Sequence, residues 1–327
     1  MMMAVYDGFD VDGGHQVIMA TMREFIQRLP KAELHVHLEG SIEPGTLLEI
    51  APSLSHAEVL ARYEYATFTE FLQNFGWVAK NLTEPEHYAI ATRRLLERLE
   101  EQNVQYAEIT LSAGVILWKH QDPAAVHQAV REAAAQSPIR TYWIWDAVRQ
   151  WGVDRAWQAM ELAAARVHDG VIAFGLGGDE ANGPARDFAG LFHEARKRGL
   201  RLLCHAGEVT DAGSVWQALE IGAERIGHGI RAIDDALLLH HLAAQNIPLE
   251  VCPTSNIRTG AVPNLQKHPL RKLFDAGVPL ILNTDDPPMF HTTLLAEYEL
   301  AAEHFAFTEA ELAQLAANSF RYAFQPL

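Results

Sequence analysis

The chain has 327 residues, of which 49% are hydrophobic and 21% are charged, and its formal net charge at pH 7 is −16. These proportions are those of a globular protein and exclude disordered and fibrous classes. The negative charge disfavours nucleic acid and anionic lipid, since no cluster of Lys and Arg forms a basic patch. No apolar run approaches the roughly 18 residues that a membrane span needs, so neither a nucleic-acid nor a membrane partner is expected.

Residues 1–28 are interpreted as an N-terminal extension, and residues 29–327 as a single domain. The extension is acidic and lacks the apolar core of a signal peptide. The two cysteines, Cys204 and Cys252, are too few for a disulfide scaffold. So low a cysteine content is typical of proteins in a reducing compartment. We therefore expect a cytoplasmic protein.

Eight short runs rich in β-branched residues recur between helical patterns and are predicted as strands. They cover residues 32–38, 105–111, 140–147, 171–178, 201–207, 225–229, 248–256 and 279–287. Strand–helix alternation repeated eight times predicts parallel strands with helical crossovers, and eight such strands close a (β/α)8 TIM barrel. An open, doubly wound α/β sheet is the competing architecture.

Helices are predicted between and after these strands. Residues 43–100 are too many for one crossover and predict a helical insertion over the barrel mouth, with an aromatic helical pattern at 68–75. Residues 154–167 keep a helical period, and Asp154 is the expected N-cap. A C-terminal helix is predicted at 309–320.

Polar residues gather where the predicted strands end. They are His35, His37, Glu108, Asp146, Gly178, His205, His228, Asn256 and Asp285. In a (β/α)8 barrel the carboxyl ends of the strands form the active-site face. The sequence therefore predicts a functional site built from several strands at one end of the barrel.

Four of these residues are candidate metal ligands. His35 and His37 are two positions apart on one strand, so both imidazoles point to the same side. His205 and Asp285 end the fifth and eighth strands. Three imidazoles and one carboxylate with an open position are typical of a catalytic rather than a structural ion. Alone, the His-x-His pair has a simpler interpretation as two partly exposed histidines.

Four motifs, KAELHVHLEG, HAGE, RIGHG and NTDDP, occur in this order. Together they resemble the adenosine deaminase-like branch of the amidohydrolase superfamily, and the resemblance extends from about Leu29 to the last helix. It implies hydrolytic deamination of a 6-aminopurine and the ligand set His35, His37, His205 and Asp285. Binuclear relatives carry a carbamylated Lys at the end of the fourth strand, which VIAFGLGG lacks, so one ion is expected. The ion is expected to be Zn²⁺, with Fe²⁺ as the alternative.

The same resemblance implies roles for the other motif residues. Glu208 matches the acid that protonates purine N1, and His228 the histidine that orients and deprotonates the attacking water, while Asp285 is both ligand and catalytic residue. Asp286 matches the group on the N7 side, and Gly178 the backbone donor to N3. The alternatives are a solvated loop carboxylate for Glu208, a core histidine for His228 and a strand-end turn for Asp285 and Asp286.

The substrate is less narrowly specified. Adenosine deaminases usually have Asp where this chain has Glu39, and Glu there resembles relatives that act on adenine or on 5′-modified adenosines such as aminodeoxyfutalosine. Arg149 is either a substrate contact or the partner of Asp146 in an internal ion pair. A 6-aminopurine nucleoside is favoured and free adenine is the alternative. A different amidohydrolase and a non-catalytic purine-binding protein rank below both.

Overall fold

The computed structural model describes residues 21–325, and these fold around an eight-stranded parallel sheet in which each strand pairs with the next along the chain. The strands are β1 Lys31–His37, β2 Val104–Leu111, β3 Arg140–Val148, β4 Val171–Gly177, β5 Arg201–Ala206, β6 Arg225–His228, β7 Leu249–Val251 and β8 Leu280–Leu282. Beyond β8, Asp285 exchanges two backbone hydrogen bonds with β1, at 2.8 and 2.9 Å. The sheet therefore curls into a nearly closed barrel, and the predicted (β/α)8 fold is confirmed.

Helices surround this barrel. They are α1 Pro44–Ile50, α2 His56–Ala61, α3 Phe68–Lys80, α4 Pro85–Glu101, α5 Ala113–Trp118, α6 Pro123–Ala134, α7 Val153–Ala164, α8 Ala189–Lys197, α9 Ala212–Glu220, α10 Ala236–Gln245, α11 Pro253–Arg258, α12 Leu270–Asp275, α13 Pro287–Phe290, α14 Leu294–Phe305 and α15 Glu309–Arg321. Residues 21–28 are also helical, whereas the first twenty residues of the predicted N-terminal extension lie outside the described part of the chain. Among the described residues, no helix combines the length and apolarity needed to cross a bilayer.

Two predicted strands are shorter than the sequence pattern indicates. The runs at 248–256 and 279–287 form strands of three residues each; Pro253 starts a helix shortly after the first, and Pro287 starts another after residues 283–286. Proline favours the first helical position, where its missing N–H costs nothing. The polar motif residues that follow these strands therefore lie at loop and helix starts.

The predicted cap of α7 is wrong by two residues. Gly152, not Asp154, is the N-cap, and Asp154 lies within the first turn of the helix. Gly152 has a φ of +91°, a left-handed conformation that glycine adopts without steric cost. The chain can therefore turn into the helix earlier than an Asp cap requires.

The helices α1 to α4 fill the stretch between β1 and β2. In α3, Phe71 packs against Phe290 of α13 with ring centroids 4.9 Å apart. Because α13 directly follows Asp285 and Asp286, this contact places α3 next to the carboxyl end of the barrel.

Candidate active site

The four predicted metal ligands meet at the carboxyl end of the barrel. The ligand atoms of His35, His37, His205 and Asp285 all lie within 4.8 Å of one another. Among the described residues, His35 Nε2 and His205 Nδ1 have no hydrogen-bond partner although both are buried. Buried lone-pair nitrogens facing a carboxylate are suited to a cation, so this donor set fits a metal ion.

A carboxylate that the sequence analysis missed orients the first ligand. Glu250 on β7 lies 2.9 Å from His35 Nδ1 through its Oε2. Its other oxygen forms an ion pair with Arg225 Nε at 2.6 Å, and all three side chains are almost fully buried. Although burial favours the protonated acid, Arg225 and His35 hold the pKa of Glu250 below its usual value. The carboxylate therefore keeps the His35 proton on Nδ1 and leaves Nε2 free for the ion.

Glu208 lies next to this cluster. Its Oε2 is 3.5 Å from His228 Nε2, and Thr259 Oγ1 is 3.4 Å from its Oε1. Burial, reinforced by the charges of Asp285 and Glu180, raises the pKa of Glu208 to about 8. The side chain is therefore protonated at neutral pH and can act as an acid.

Glu180 holds the loop that carries Glu208. Its carboxylate accepts backbone hydrogen bonds from Gly207, Glu208 and Val209, at 2.5 to 3.2 Å, and another from Ser214 Oγ. Glu180 lies two residues after Gly178 and was not singled out from the sequence. The loop depends on this acceptor because its N–H groups face a single carboxylate.

Replacing Glu180 with Gln is expected to lower kcat at least about tenfold, because the new amide NH2 faces backbone donors and displaces the acid. The measurement is kcat, with metal content and circular dichroism determined in parallel. Glu194→Gln, which removes only a surface ion pair with Arg198, is the control. A kcat within twofold of wild type would show that the loop holds its shape without Glu180.

His228 ends β6 between two glycines. Its φ of +59° is left-handed. A Cβ on Gly227 would lie 3.0 Å from His35 Cε1, so a side chain there would crowd the metal ligands. Burial lowers the pKa of His228 to about 4, and the imidazole is neutral. It lies 3.8 Å from Asp285 Oδ2 through Nε2.

Asp286 and Gly178 both line the cavity in front of the cluster. Burial and the neighbouring Asp285 raise the pKa of Asp286 to about 7. Gly40 must lack a side chain, since a Cβ there would lie 1.6 Å from Asp286 Oδ1. Gly178 has a φ of +92°. The structure therefore places both residues in the wall of the cavity that also contains three of the candidate metal ligands.

Two further predicted substrate contacts, Arg149 and Glu39, are not among the residues that line the cavity. Arg149 does not line the cavity; its Nη1 donates to the His205 carbonyl at 2.9 Å, and among the described residues it forms no ion pair with Asp146. Its guanidinium therefore supports β5, the strand that carries the candidate ligand His205. Glu39 is also outside the cavity lining, and its Oε1 accepts from the Ser112 N–H at 3.1 Å. Ser112 itself lines the cavity, so Glu39 supports the cavity wall through its hydrogen bond to the Ser112 backbone.

The cavity has a volume of about 480 Å³. One part of its lining is polar and consists of His37, Asp146, Gly178, His205, Glu208, His228, Asp285 and Asp286. Another part is apolar and consists of Phe68, Phe71, Leu72, Phe75 and Trp77 of α3, with Trp118 and Trp151. Arg62 and Lys80 also line it, stacked over Trp77 and Trp118. The site thus combines a polar centre with an aromatic surface that α3 supplies together with Trp118 and Trp151.

Comparisons with known proteins agree with this geometry. The family model of adenosine deaminase matches residues 30–327. An aminodeoxyfutalosine deaminase of Streptomyces avermitilis is 39% identical over 93% of this chain and 88% of its own length. An adenine deaminase of Agrobacterium fabrum is 38% identical over 90% of this chain and 94% of its own.

Solved structures give the same result. The crystal structure of adenine deaminase from Arthrobacter aurescens is 30% identical, has a TM-score of 0.86, and covers 91% of this chain and 94% of its own. An amidohydrolase from Burkholderia ambifaria with bound Zn has a TM-score of 0.87 at 27% identity, over 98% of this chain and 91% of its own. The chain belongs to the adenosine deaminase family and is a hydrolytic deaminase of aminopurines.

Proposed function

We propose that the protein catalyses zinc-dependent hydrolytic deamination of a 6-aminopurine nucleoside, either adenosine or a 5′-modified adenosine such as aminodeoxyfutalosine. The observation that carries the proposal is the position of Glu208. A protonated carboxyl group lies 3.5 Å from His228 and lines one cavity together with three of the four candidate metal ligands. An acid, a histidine and an open metal site together are what hydrolysis of an aromatic C–NH2 group requires.

His35, His37, His205 and Asp285 would hold the ion, with Glu250 behind His35. Bound Zn²⁺ lowers the pKa of water to about 7 and so supplies hydroxide at neutral pH. Fe²⁺ accepts a similar donor set and is the alternative. No Lys ends β4, which supports a single ion.

The proposed reaction adds one water to the base and releases one ammonia. The water oxygen bonds to C6 while Glu208 gives its proton to N1. The C6–N bond then breaks, and of the two water protons one ends on the leaving ammonia and the other on Glu208, which regains its acid form. Asp286 is proposed to hold the N7 side and Gly178 the N3 side. Both residues line the cavity beside Glu208.

The cavity volume supports a substrate larger than the base. A volume of about 480 Å³ lies in the range that holds extended small molecules, and a purine at Glu208 and Asp286 leaves the aromatic surface of α3 for a further group. The Streptomyces relative is named for a 5′-modified adenosine. Free adenine is the second candidate, since the Agrobacterium and Arthrobacter relatives are named adenine deaminases.

The test compares kcat/KM of the zinc-loaded enzyme for adenosine, adenine and a 5′-extended adenosine. The reaction is monitored by the loss of absorbance at about 265 nm. We expect the 5′-extended nucleoside to have the largest value, by at least about tenfold over adenine, because only it contacts the aromatic surface. The largest value for adenine would select the second candidate. Binding of all three without turnover would contradict the proposed function.

A further inference from the structure

A row of buried side chains leads from a backbone amide to His228. The Leu270 N–H lies 3.2 Å from His268 Nδ1, His268 Nε2 lies 3.1 Å from Asn256 Oδ1, and Asn256 Nδ2 lies 3.1 Å from His228 Nδ1. The exposed fractions of His268, Asn256 and His228 are 5%, 0% and 1%. His268 and Asn256 each form one of these hydrogen bonds on either side. The position of the proton in one hydrogen bond therefore decides which atom donates in the next.

The first proton position follows from the backbone. A peptide N–H can only donate, so His268 Nδ1 must accept from Leu270 and carries no proton. Burial lowers the pKa of His268 to about 3, and the ring is neutral. Its single proton is therefore on Nε2, which must donate to Asn256.

The second position follows from the amide of Asn256. Only its oxygen can accept from His268, so its NH2 group faces His228 and can only donate. His228 Nδ1 must therefore be the acceptor and carries no proton, so the proton of the His228 ring is on Nε2. That nitrogen lies 3.5 Å from Glu208 Oε2 and 3.8 Å from Asp285 Oδ2.

We propose that His268 and Asn256 are positioning residues that fix His228 with its proton on Nε2, so that His228 donates a hydrogen bond to an oxygen atom in the cavity. This rests on the proposed function and changes the role that the family resemblance implies for His228. Nε2 cannot take a proton from water while it carries its own. His228 therefore holds and orients the attacking oxygen, whereas the family resemblance implies that it also deprotonates the water.

The direct test is ¹⁵N NMR of the zinc-loaded protein labelled at histidine, with the His228 signals identified by their loss in His228→Gln. We expect an unprotonated Nδ1 and a protonated Nε2 in the wild-type protein. A proton on Nδ1 would overturn the proposal. This measurement requires no substrate, so failure of the proposed function and failure of this inference are distinguishable.

The matched variant is Asn256→Asp, which keeps the shape but replaces the NH2 donor by an acceptor. His228 Nδ1 must then donate, which removes the proton from Nε2 or protonates both nitrogens. We expect the NMR signature to change and kcat to fall about 10²–10⁴-fold, as for a catalytic histidine in the wrong protonation form, with KM within about threefold. An unchanged signature or a kcat within threefold of wild type would overturn the proposal.

Two further variants separate positioning from stability. Asn74→Asp places a carboxylate at another largely buried asparagine, 8% exposed on α3, and is expected to lower Tm without changing the His228 signature. His268→Gln keeps an amide N–H that can donate to Asn256 and should retain the wild-type signature. A changed signature in Asn74→Asp would show that destabilisation alone moves the proton and would overturn the proposal, even where Asn256→Asp fails to fold.

Discussion

Replacing Glu208 with Gln is expected to lower kcat by about 10²–10⁴-fold while zinc content and fold are unchanged. Gln has the same shape, and Thr259 Oγ1, 3.4 Å from Oε1, can still donate to the amide oxygen. The variant has no acidic proton for N1, so the base cannot be neutralised as the oxygen bonds to C6. Kinetics, metal analysis and circular dichroism test it together. A variant that keeps more than about a tenth of wild-type kcat would show that another group supplies the proton.

The pH profile reports the same group. Because burial raises the pKa of Glu208 to about 8, the acid form predominates below that pH and is lost as pH rises through it. The value of kcat/KM is therefore expected to decline on the alkaline side, by about tenfold per pH unit for one proton. The residual activity of Glu208→Gln should lack this decline. The same decline in the variant would assign it to a different group.

Replacing Glu250 with Gln is expected to weaken zinc binding about 10–100-fold, although Glu250 does not line the cavity. The neutral amide no longer holds the proton on His35 Nδ1 by charge, and it leaves Arg225 with one of its two carboxylate partners, Glu108 at 2.6 Å. Competition with a chromophoric chelator gives the zinc affinity. Metal analysis of the wild-type protein is expected to give one zinc per chain.

The matched control is Glu297→Gln, which changes another fully buried carboxylate, bonded to Thr254 and Thr292 outside the ligand cluster. Its zinc affinity is expected to stay within about threefold of wild type, well under 1.4 kcal/mol. Equal losses in both variants would assign the effect to general destabilisation. Two zinc ions per chain in the wild-type protein would contradict the mononuclear site.

The cluster of four candidate metal ligands was predictable because two local rules suffice for it. Side chains two positions apart on a strand share a side, which puts His35 and His37 together. In a (β/α)8 barrel the carboxyl ends of all strands meet, which adds His205 and Asp285. Neither rule requires knowledge of register or loop path, and the ligand atoms do lie within 4.8 Å of one another.

Arg149 and Glu39 show where local rules stop. Both follow strands at the correct end of the barrel, yet Arg149 donates to the His205 carbonyl and Glu39 accepts from the Ser112 N–H. The direction of a side chain just after a strand depends on the path of the chain there. In a buried site, unpaired backbone groups from neighbouring strands compete for such side chains.

The sequence alone therefore predicted the barrel and the grouping of the four candidate ligands, since hydrophobic period and position along a strand control which face a residue occupies, and the family resemblance implied the acid role of Glu208. The tertiary structure decided the supporting contacts of Glu180, Glu250 and the Asn256–His268 pair. These contacts join segments far apart in the chain, and their geometry is set by strand register and loop path, which the hydrophobic period does not encode. The hydrogen-bond acceptors and donors that fix each proton in the site are therefore set by the tertiary structure.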